Sequence, residues 1–140
     1  MIEKYKKEIK KWEEKLEELL SKKQELISNV AKNKNICEKE VYAISRPDTN
    51  EIVYVGKTKT KTIQGRMYDH LKHKHGDTDS DLANMVLKRP YLPQDYLNYS
   101  VRYLPLEDSR DRMIFEMFTI SIIDPKLNKD DNNPPIKKIG

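Results

Sequence analysis

Two short β-type segments on either side of a polar turn constrain the fold of this chain most. Residues 41–45 (VYAIS) and 52–55 (IVYV) are rich in Val, Ile and Tyr, which are typical of strands. The segment RPDTN at 46–50 is turn-forming, because its Pro presets φ and its Asp and Asn tolerate turn geometry. These residues therefore predict an antiparallel hairpin.

A further strand and a long helix are predicted in the second half of the chain. Residues 99–104 alternate Tyr, Val and Tyr with Ser, Arg and Leu, which is the period of a strand. A helix follows, capped by Asp108 or Ser109 and ended near Ile123 by the Asp-Pro pair at 124–125.

Two shorter helices are predicted between the hairpin and that strand. The first covers residues 62–74 and has an apolar face with one histidine: Ile63, Met67, His70 and Leu71. The second ends at Leu87 and is expected to begin at a capping residue, either Asp79 or Ser80.

Apolar residues recur with heptad spacing at the start of the chain. One seam position holds Ile2, Ile9, Leu16 and Val30, and the other holds Tyr5, Trp12, Leu19 and Leu26. This pattern predicts one helix within residues 1–32, of about 28 residues and roughly 42 Å. A parallel homodimer would place Glu8 against Glu13, so packing on the chain's own domain or an antiparallel homodimer is favoured. The helix is a structural element, a dimer contact or a basic surface for DNA.

Composition limits the class of protein. The 140 residues fit one globular domain with an appendage, and the net charge of +4 fits either a polyanion partner or an ordinary solvated surface. Cys37 is the sole cysteine, which excludes an internal disulfide and suits a reducing compartment. The chain has no long apolar segment and no signal-peptide pattern, so an intracellular location, cytoplasmic or nucleoid-associated, without a membrane partner is expected.

Several side chains together form a plausible set for cleaving a phosphodiester. Tyr42 and Tyr54 lie in the predicted hairpin, while Arg66 and His70 are four residues apart and share a helix face. Glu116 lies in an apolar helix, where a carboxylate is costly unless it meets a cation, a metal or hydrogen-bond donors.

Each of these residues also has an ordinary structural interpretation. The tyrosines could be strand aromatics, Arg66 and His70 a surface pair, and Glu116 a carboxylate beside Arg112 on a narrow wet face. His73 and His75 do not have the spacing of a closed zinc site with His70, and we interpret them as surface or DNA-facing residues.

In order and spacing, the set resembles the GIY-YIG nuclease family across residues 38–129. The matching elements are Val41-Tyr42-Ala43-Ile44, Tyr54-Val55-Gly56, Arg66 with His70, Glu116, and Pro125 followed by Leu127-Asn128. Glu40 stands where the family has Gly, and Val replaces Ile in both tyrosine elements. Residues 75–98 exceed what a minimal module needs, and we interpret them as an insertion that carries substrate contacts.

The resemblance implies an α+β fold with a small three-stranded antiparallel sheet flanked by helices. The chain would then consist of a heptad-patterned helix at 1–32, a GIY-YIG-like nuclease domain at 38–129 and a tail at 130–140. The implied activity is metal-dependent hydrolysis of DNA, in a restriction enzyme or in a phage or mobile-element nuclease. A cutter of palindromes would be a homodimer. The alternative is a non-catalytic nucleic-acid-binding or coiled-coil interaction module.

The resemblance also assigns roles to individual residues. Glu116 would hold one Mg²⁺ or Mn²⁺, Arg66 would stabilise transition-state charge, and Tyr42 would be the general base. Tyr54 and His70 would orient water and phosphate, with His70 a rival candidate for proton transfer. Three residues would support the site: Gly56 by close approach, Lys57 by lowering the pKa of a nearby phenol, and Asn128 by holding the backbone.

Overall fold

The computed structural model of the chain describes residues 2–36, 38–72 and 81–128. The helices are α1 (Ile2–Ser21), α2 (Ile27–Lys32), α3 (Ile63–His70), α4 (Leu82–Leu87), α5 (Ser109–Ile123) and a 3-10 turn at Tyr96–Asn98. The strands are β1 (Glu25–Leu26), β2 (Glu40–Ser45), β3 (Ile52–Lys57) and β4 (Ser100–Pro105). Predictions on Cys37, His73, His75, Asp79, Ser80 and the tail at 130–140 lie outside the described residues.

The described strands form one antiparallel sheet of four strands in the order β1-β4-β2-β3. The predicted hairpin is confirmed, and its turn contains Asn50 at a φ of 63°, a conformation that Asn tolerates. The predicted third strand is also confirmed, one residue further along, as β4. The expectation of three strands was wrong, because β1 adds a fourth at the edge of β4.

Helices cover both faces of the sheet, which makes the central strand β2 buried along its whole length. One face packs Tyr42, Ile44, Tyr99 and Val101 against residues of α2, α3 and α4. The other face packs Val41, Ala43, Val55 and Leu104 against residues of α1 and α5. The described residues thus form two apolar clusters, one on each face of the sheet, in a three-layer arrangement.

The N-terminal segment is not one helix, and the predicted helix over 1–32 was wrong in this respect. α1 ends at Ser21, and Glu25 and Leu26 then pair with Val101 and Ser100 of β4. The exposed edge of β4 offers unpaired backbone groups, and satisfying them competes with continuing the helix. The apolar residues of the heptad pattern that follow Ser21 therefore lie in β1 and α2.

α1 packs on the chain's own domain through its second half. Trp12, Leu16 and Leu19 are buried, and the Trp12 ring stacks on Phe115 of α5 with 5.9 Å between ring centroids. The apolar residues of the first half are exposed: Ile2, Tyr5 and Ile9. None of the helices in residues 2–36, 38–72 and 81–128 is both long and apolar enough to cross a membrane.

Side-chain caps fix the start of two helices. Thr62 accepts a hydrogen bond from the Gly65 N–H at 3.2 Å and starts α3, which ends at His70 and not at residue 74. Asp108 accepts from the N–H groups of Arg110 and Asp111 at 2.8 and 3.0 Å, which confirms one of the two predicted caps of α5.

α4 begins at Leu82, directly after its N-cap residue Asp81. Residues Leu82, Met85, Val86 and Leu92 enter the core on the α3 face of the sheet. The described part of the predicted insertion at 75–98 is therefore structural to a large extent.

Candidate active site

The two motif tyrosines lie on the same face of the sheet, together with His70. Tyr42 of β2 is paired with Gly56 of β3, and Ile44 is paired with Tyr54. The centroids of the Tyr42 and Tyr54 rings are 6.3 Å apart, and the His70 ring lies 5.6 Å from Tyr42 and 5.5 Å from Tyr54. Both ring contacts of His70 are edge-on, so the three rings form one compact cluster.

The hydrogen bonds of His70 define which of its nitrogens carries the proton. The backbone N–H of Leu82 donates to Nδ1 at 2.9 Å, so Nδ1 is an acceptor and the proton of the neutral ring is on Nε2. Nε2 lies 2.7 Å from the Tyr42 hydroxyl oxygen, to which it donates. The imidazole therefore fixes the Tyr42 oxygen and leaves the hydroxyl proton available to another acceptor.

The electrostatics keep both members of this pair neutral. Burial, followed by the charge of Arg66, lowers the pKa of His70 well below its ordinary value. Burial, followed by Tyr54, raises the pKa of Tyr42 well above its ordinary value, although the charge of Arg66 acts in the opposite direction. Arg66 thus lowers the pKa of Tyr42 as expected, but burial outweighs this effect and the net pKa is raised.

Arg66 is held beside the tyrosines by a carboxylate that the sequence analysis did not include. Its guanidinium donates to Asp81 Oδ1 at 2.9 Å, and the Asp81 side chain is almost fully buried. Asp81 precedes α4, yet its carboxylate makes no capping hydrogen bond to that helix. An Asp just before an apolar run gives a capping signal, so the sequence alone could not reveal this longer-range role.

Glu116 pairs with Lys57 and not with Arg112. Lys57 Nζ lies 3.0 Å from Glu116 Oε1, and both side chains are largely buried. Arg112 is itself buried, and it donates to the carbonyl oxygens of Thr58, Leu106 and Glu107. Although α5 is rich in apolar residues, it is not buried on all sides, and Met113 and Met117 are exposed. Glu116 thus lies at the boundary between the core and solvent.

Asn128 clamps the backbone of the strand that carries Tyr54 and Gly56. Its Oδ1 accepts from the Val55 N–H at 2.6 Å, and its Nδ2 donates to the Val55 carbonyl at 2.7 Å. The side-chain amide therefore takes the place of a neighbouring strand at the free edge of β3.

The structure thus brings Tyr42, Tyr54, Arg66 and His70 into one cluster. The Lys57–Glu116 pair lies beside it, since the charge of Glu116 contributes to raising the pKa of Tyr42. Gly56 leaves room for the Tyr42 and Tyr54 rings, and Asn128 holds the backbone of β3 at Val55. No group of three or more His, Cys, Asp or Glu side chains suited to a metal occurs in the described part of the chain.

Comparisons with known proteins return no match: no family model, no curated protein and no solved structure is significantly similar to this chain. The fold and the cluster of side chains therefore carry the functional argument on their own.

Replacing Gly56, even by Ala, is predicted to destabilise the folded chain. A methyl group at this position would lie 2.5 Å from the Tyr42 hydroxyl oxygen and 2.9 Å from Tyr54 Cε2. We expect Gly56→Ala to lower the free energy of unfolding by about 1–3 kcal/mol, because both rings must move.

The matched control is Gly65→Ala, where the nearest atom, Thr62 Oγ1, is 3.6 Å away. That helical substitution is expected to raise stability by up to about 1 kcal/mol. Equal effects in denaturant titrations would contradict this account.

Glu40, the first residue of β2, is a buried acid. Its side chain has no exposure, and its interaction with the Glu38 carboxyl is a hydrogen bond that requires one of the two acids to be protonated. Burial, followed by the nearby Glu38 carboxyl, raises the pKa of Glu40 to about 9. Glu40 therefore holds a proton at neutral pH.

Stability is predicted to depend on pH through Glu40. The unfolded chain releases this proton near pH 4.3, whereas the folded chain retains it up to about pH 9. The stabilising contribution is thus complete below about pH 4 and falls as pH rises towards about 9. Glu40→Gln cannot ionise, so its stability relative to the natural chain should increase across this window, by at most about 1.4 kcal/mol per pH unit. Denaturant titrations at pH 5, 7 and 8.5 measure the difference, and a constant difference would exclude the effect.

Proposed function

We propose that this chain is a metal-dependent DNA endonuclease of the GIY-YIG type, with Tyr42 as the general base. The observation that carries the proposal is the 2.7 Å contact between Tyr42 Oη and His70 Nε2, beside Arg66. A neutral imidazole that donates to a phenol oxygen stabilises the phenolate and directs the remaining hydroxyl proton elsewhere. A purely structural tyrosine needs neither a second buried ring nor an adjacent guanidinium.

His70 acts as a positioning residue in this proposal and not as a proton carrier. Its Nδ1 is occupied by the Leu82 N–H, and its lowered pKa keeps the ring neutral. Tyr42 would first release its own hydroxyl proton to solvent when the site opens, and Arg66 and the Nε2–H of His70 would stabilise the phenolate that forms. The phenolate would then take the proton of the attacking water and return to the neutral phenol. Asp81 holds Arg66 in place for that task.

Glu116 fits a single Mg²⁺ or Mn²⁺. Mg²⁺ is commonly held by one or two carboxylates and substrate phosphates while keeping several waters, so a lone carboxylate suffices. Bound there, the ion would neutralise charge on the departing 3′-oxygen. Glu116 Oε1 is engaged by Lys57 in this structure, so metal binding requires the ammonium group to move off that oxygen.

The buried position of Tyr42 sets a condition on the reaction. Its side chain has no exposed surface, so water reaches the hydroxyl only if neighbouring side chains shift when substrate binds. The Lys57–Glu116 pair would also rearrange, because an incoming phosphate attracts Lys57 and a metal attracts Glu116.

The proposal is tested with supercoiled and linear DNA in Mg²⁺, Mn²⁺ or EDTA. Cleavage that requires metal is expected. Discrete fragments would indicate a sequence-specific enzyme, such as a restriction endonuclease, whose palindromic site would require a homodimer. Nicked circles or a smear would indicate a nonspecific or structure-directed enzyme of phage or mobile-element type. Binding without cleavage under every condition would replace the proposal with a non-catalytic nucleic-acid-binding module.

A further inference from the structure

A basic cleft lies between α2 and α3, on the side of α3 that faces away from Arg66. It has a volume of about 830 Å³. The residues that matter here are Lys32, Lys34, Tyr68, Leu71, Lys72 and Leu97, and we name this the lysine cleft. Gln64 donates to the Ala31 carbonyl at 2.5 Å and ties α3 to α2 at its base. The cleft is therefore built between two helices that are fixed to each other.

The positive charge of the lysine cleft is not neutralised by the described residues. No carboxylate lines it, and Lys32, Lys34 and Lys72 form no ion pair within the described part of the chain. Other lysines nearby differ, since Lys57 pairs with Glu116 and Lys61 pairs with Asp69. Three ammonium groups without an ion-pair partner among the described residues surround one concave surface, which favours an occupant with several negative charges.

The same cleft offers a flat apolar surface to that occupant. Tyr68 of α3 is 52% exposed, so part of its ring is open to a ligand. Leu97 is also exposed, and Lys72 Nζ lies 4.3 Å from the centroid of the Tyr68 ring. Aromatic rings next to lysines are how proteins hold unpaired bases, with the ring stacking on the base and the cations contacting phosphates.

These features favour a single strand over a regular duplex. In a duplex both faces of each internal base are covered by its neighbours, so no base can stack on Tyr68. An unpaired nucleotide presents its face and can enter a concave site. Phosphate contacts alone would not require an exposed ring or the leucines.

α3 connects the lysine cleft to the candidate active site. Arg66 and Tyr68 are two residues apart, so they project roughly 200° apart around the helix axis. Arg66 reaches Asp81 beside the tyrosine cluster, whereas Tyr68 lines the cleft. A strand held by Tyr68 is thereby held by the same rigid element that carries Arg66 and His70.

We propose that the lysine cleft binds an unpaired nucleotide of single-stranded DNA, with its base on Tyr68 and its phosphates on Lys32, Lys34 and Lys72. This deepens the proposed nuclease function, on which it rests for the location of cutting, by naming the form of DNA that the enzyme engages. It predicts a preference for single-stranded or branched DNA over blunt duplex.

The test measures binding in EDTA, so that it does not depend on cleavage. Fluorescence anisotropy with a labelled single-stranded oligonucleotide and a blunt duplex of equal length compares the natural chain with Tyr68→Ala and Tyr68→Phe. Tyr68→Ala is expected to weaken single-strand binding by roughly 5- to 100-fold, while Tyr68→Phe retains the ring and the affinity. Duplex binding is expected to change less than about twofold with either variant.

A second variant tests the contribution of Lys32, Lys34 and Lys72 to phosphate binding. The triple variant K32Q/K34Q/K72Q is expected to reduce the slope of log K against log salt by about 2, because each phosphate contact on a single strand contributes about 0.7. Residues Lys4, Lys7 and Lys10 of α1 are the matched control. They are exposed, and their replacement by Gln should leave the preference for single strands intact.

Each other outcome overturns the proposal. Unchanged single-strand affinity in Tyr68→Ala excludes base stacking at this site. Equal losses on single strand and duplex indicate a general phosphate-binding surface. Equally tight, Tyr68-dependent binding of an acidic peptide indicates a protein partner. Metal-dependent cleavage of the same oligonucleotides is scored separately, so a chain that binds through Tyr68 without cutting would contradict the nuclease proposal alone.

Discussion

Tyr42→Phe is expected to lower the rate of DNA cleavage by about 10²- to 10⁴-fold, the contribution typical of a positioned general base. The substitution removes only the hydroxyl oxygen, which receives the hydrogen bond of His70 at 2.7 Å. The phenyl ring keeps its contacts with Tyr54, His70 and Gly56, so DNA binding is expected to remain within about twofold. Single-turnover cleavage and anisotropy binding measure the two effects separately.

The loss of the hydroxyl also has a cost for stability. It leaves the buried Nε2–H of His70 without its acceptor, which lowers the free energy of unfolding by about 1–3 kcal/mol. Tyr99→Phe is the matched control, because it removes another tyrosine hydroxyl, one that donates to the Pro93 carbonyl at 2.9 Å. The control should be destabilised but active. Equal cleavage rates in both variants would remove Tyr42 from the mechanism.

Glu116→Gln is expected to reduce cleavage by at least about 10²- to 10³-fold with either Mg²⁺ or Mn²⁺, a loss comparable to that of other electrostatic catalytic groups. The amide keeps the size of the carboxylate and can still accept from Lys57, which now lies 3.0 Å from Oε1. The largely buried Lys57 loses its counter-ion, so the free energy of unfolding should fall by about 1–3 kcal/mol. A cleavage assay across a range of metal concentrations measures the effect.

Glu51→Gln provides the control for charge. It also removes one carboxylate, but at an exposed position where Glu51 approaches Arg46 and Lys126 at 3.8 and 3.9 Å. Its metal dependence should match that of the natural chain. If Glu116→Gln retains full cleavage, the assignment of the metal to Glu116 is wrong.

The elements whose formation depends on residues close together in the sequence were predictable from the sequence. The turn at 46–50 and the Val, Ile and Tyr residues around it fixed the hairpin, and Asp108 fixed the start of α5. The break after Ser21 was not predictable, because it depends on pairing between Glu25 and Val101, which are far apart in sequence. Helical propensity gave way to an edge strand on β4 at Glu25–Leu26, and the chain returns to helix at Ile27.

The candidate site was likewise predictable only in part. Spacing placed Arg66 and His70 on one helix face, and motif order singled out Tyr42, Tyr54 and Glu116. The partners of these residues are set by tertiary packing: Asp81 for Arg66, Lys57 for Glu116, and the Leu82 N–H for His70. The raised pKa of Tyr42 has the same origin, because burial is a property of the folded chain.

The amide clamp of Asn128 on Val55 has a consequence for the order of events during synthesis. The chain leaves the ribosome from its N-terminus, and domains generally fold as units as they emerge. The strand carrying Tyr54 and Gly56 emerges early, but its outer edge is satisfied only by a side chain 73 residues further along. A nascent chain that stops short of Asn128 thus has Tyr54 and Gly56 on a strand whose outer edge lacks this clamp.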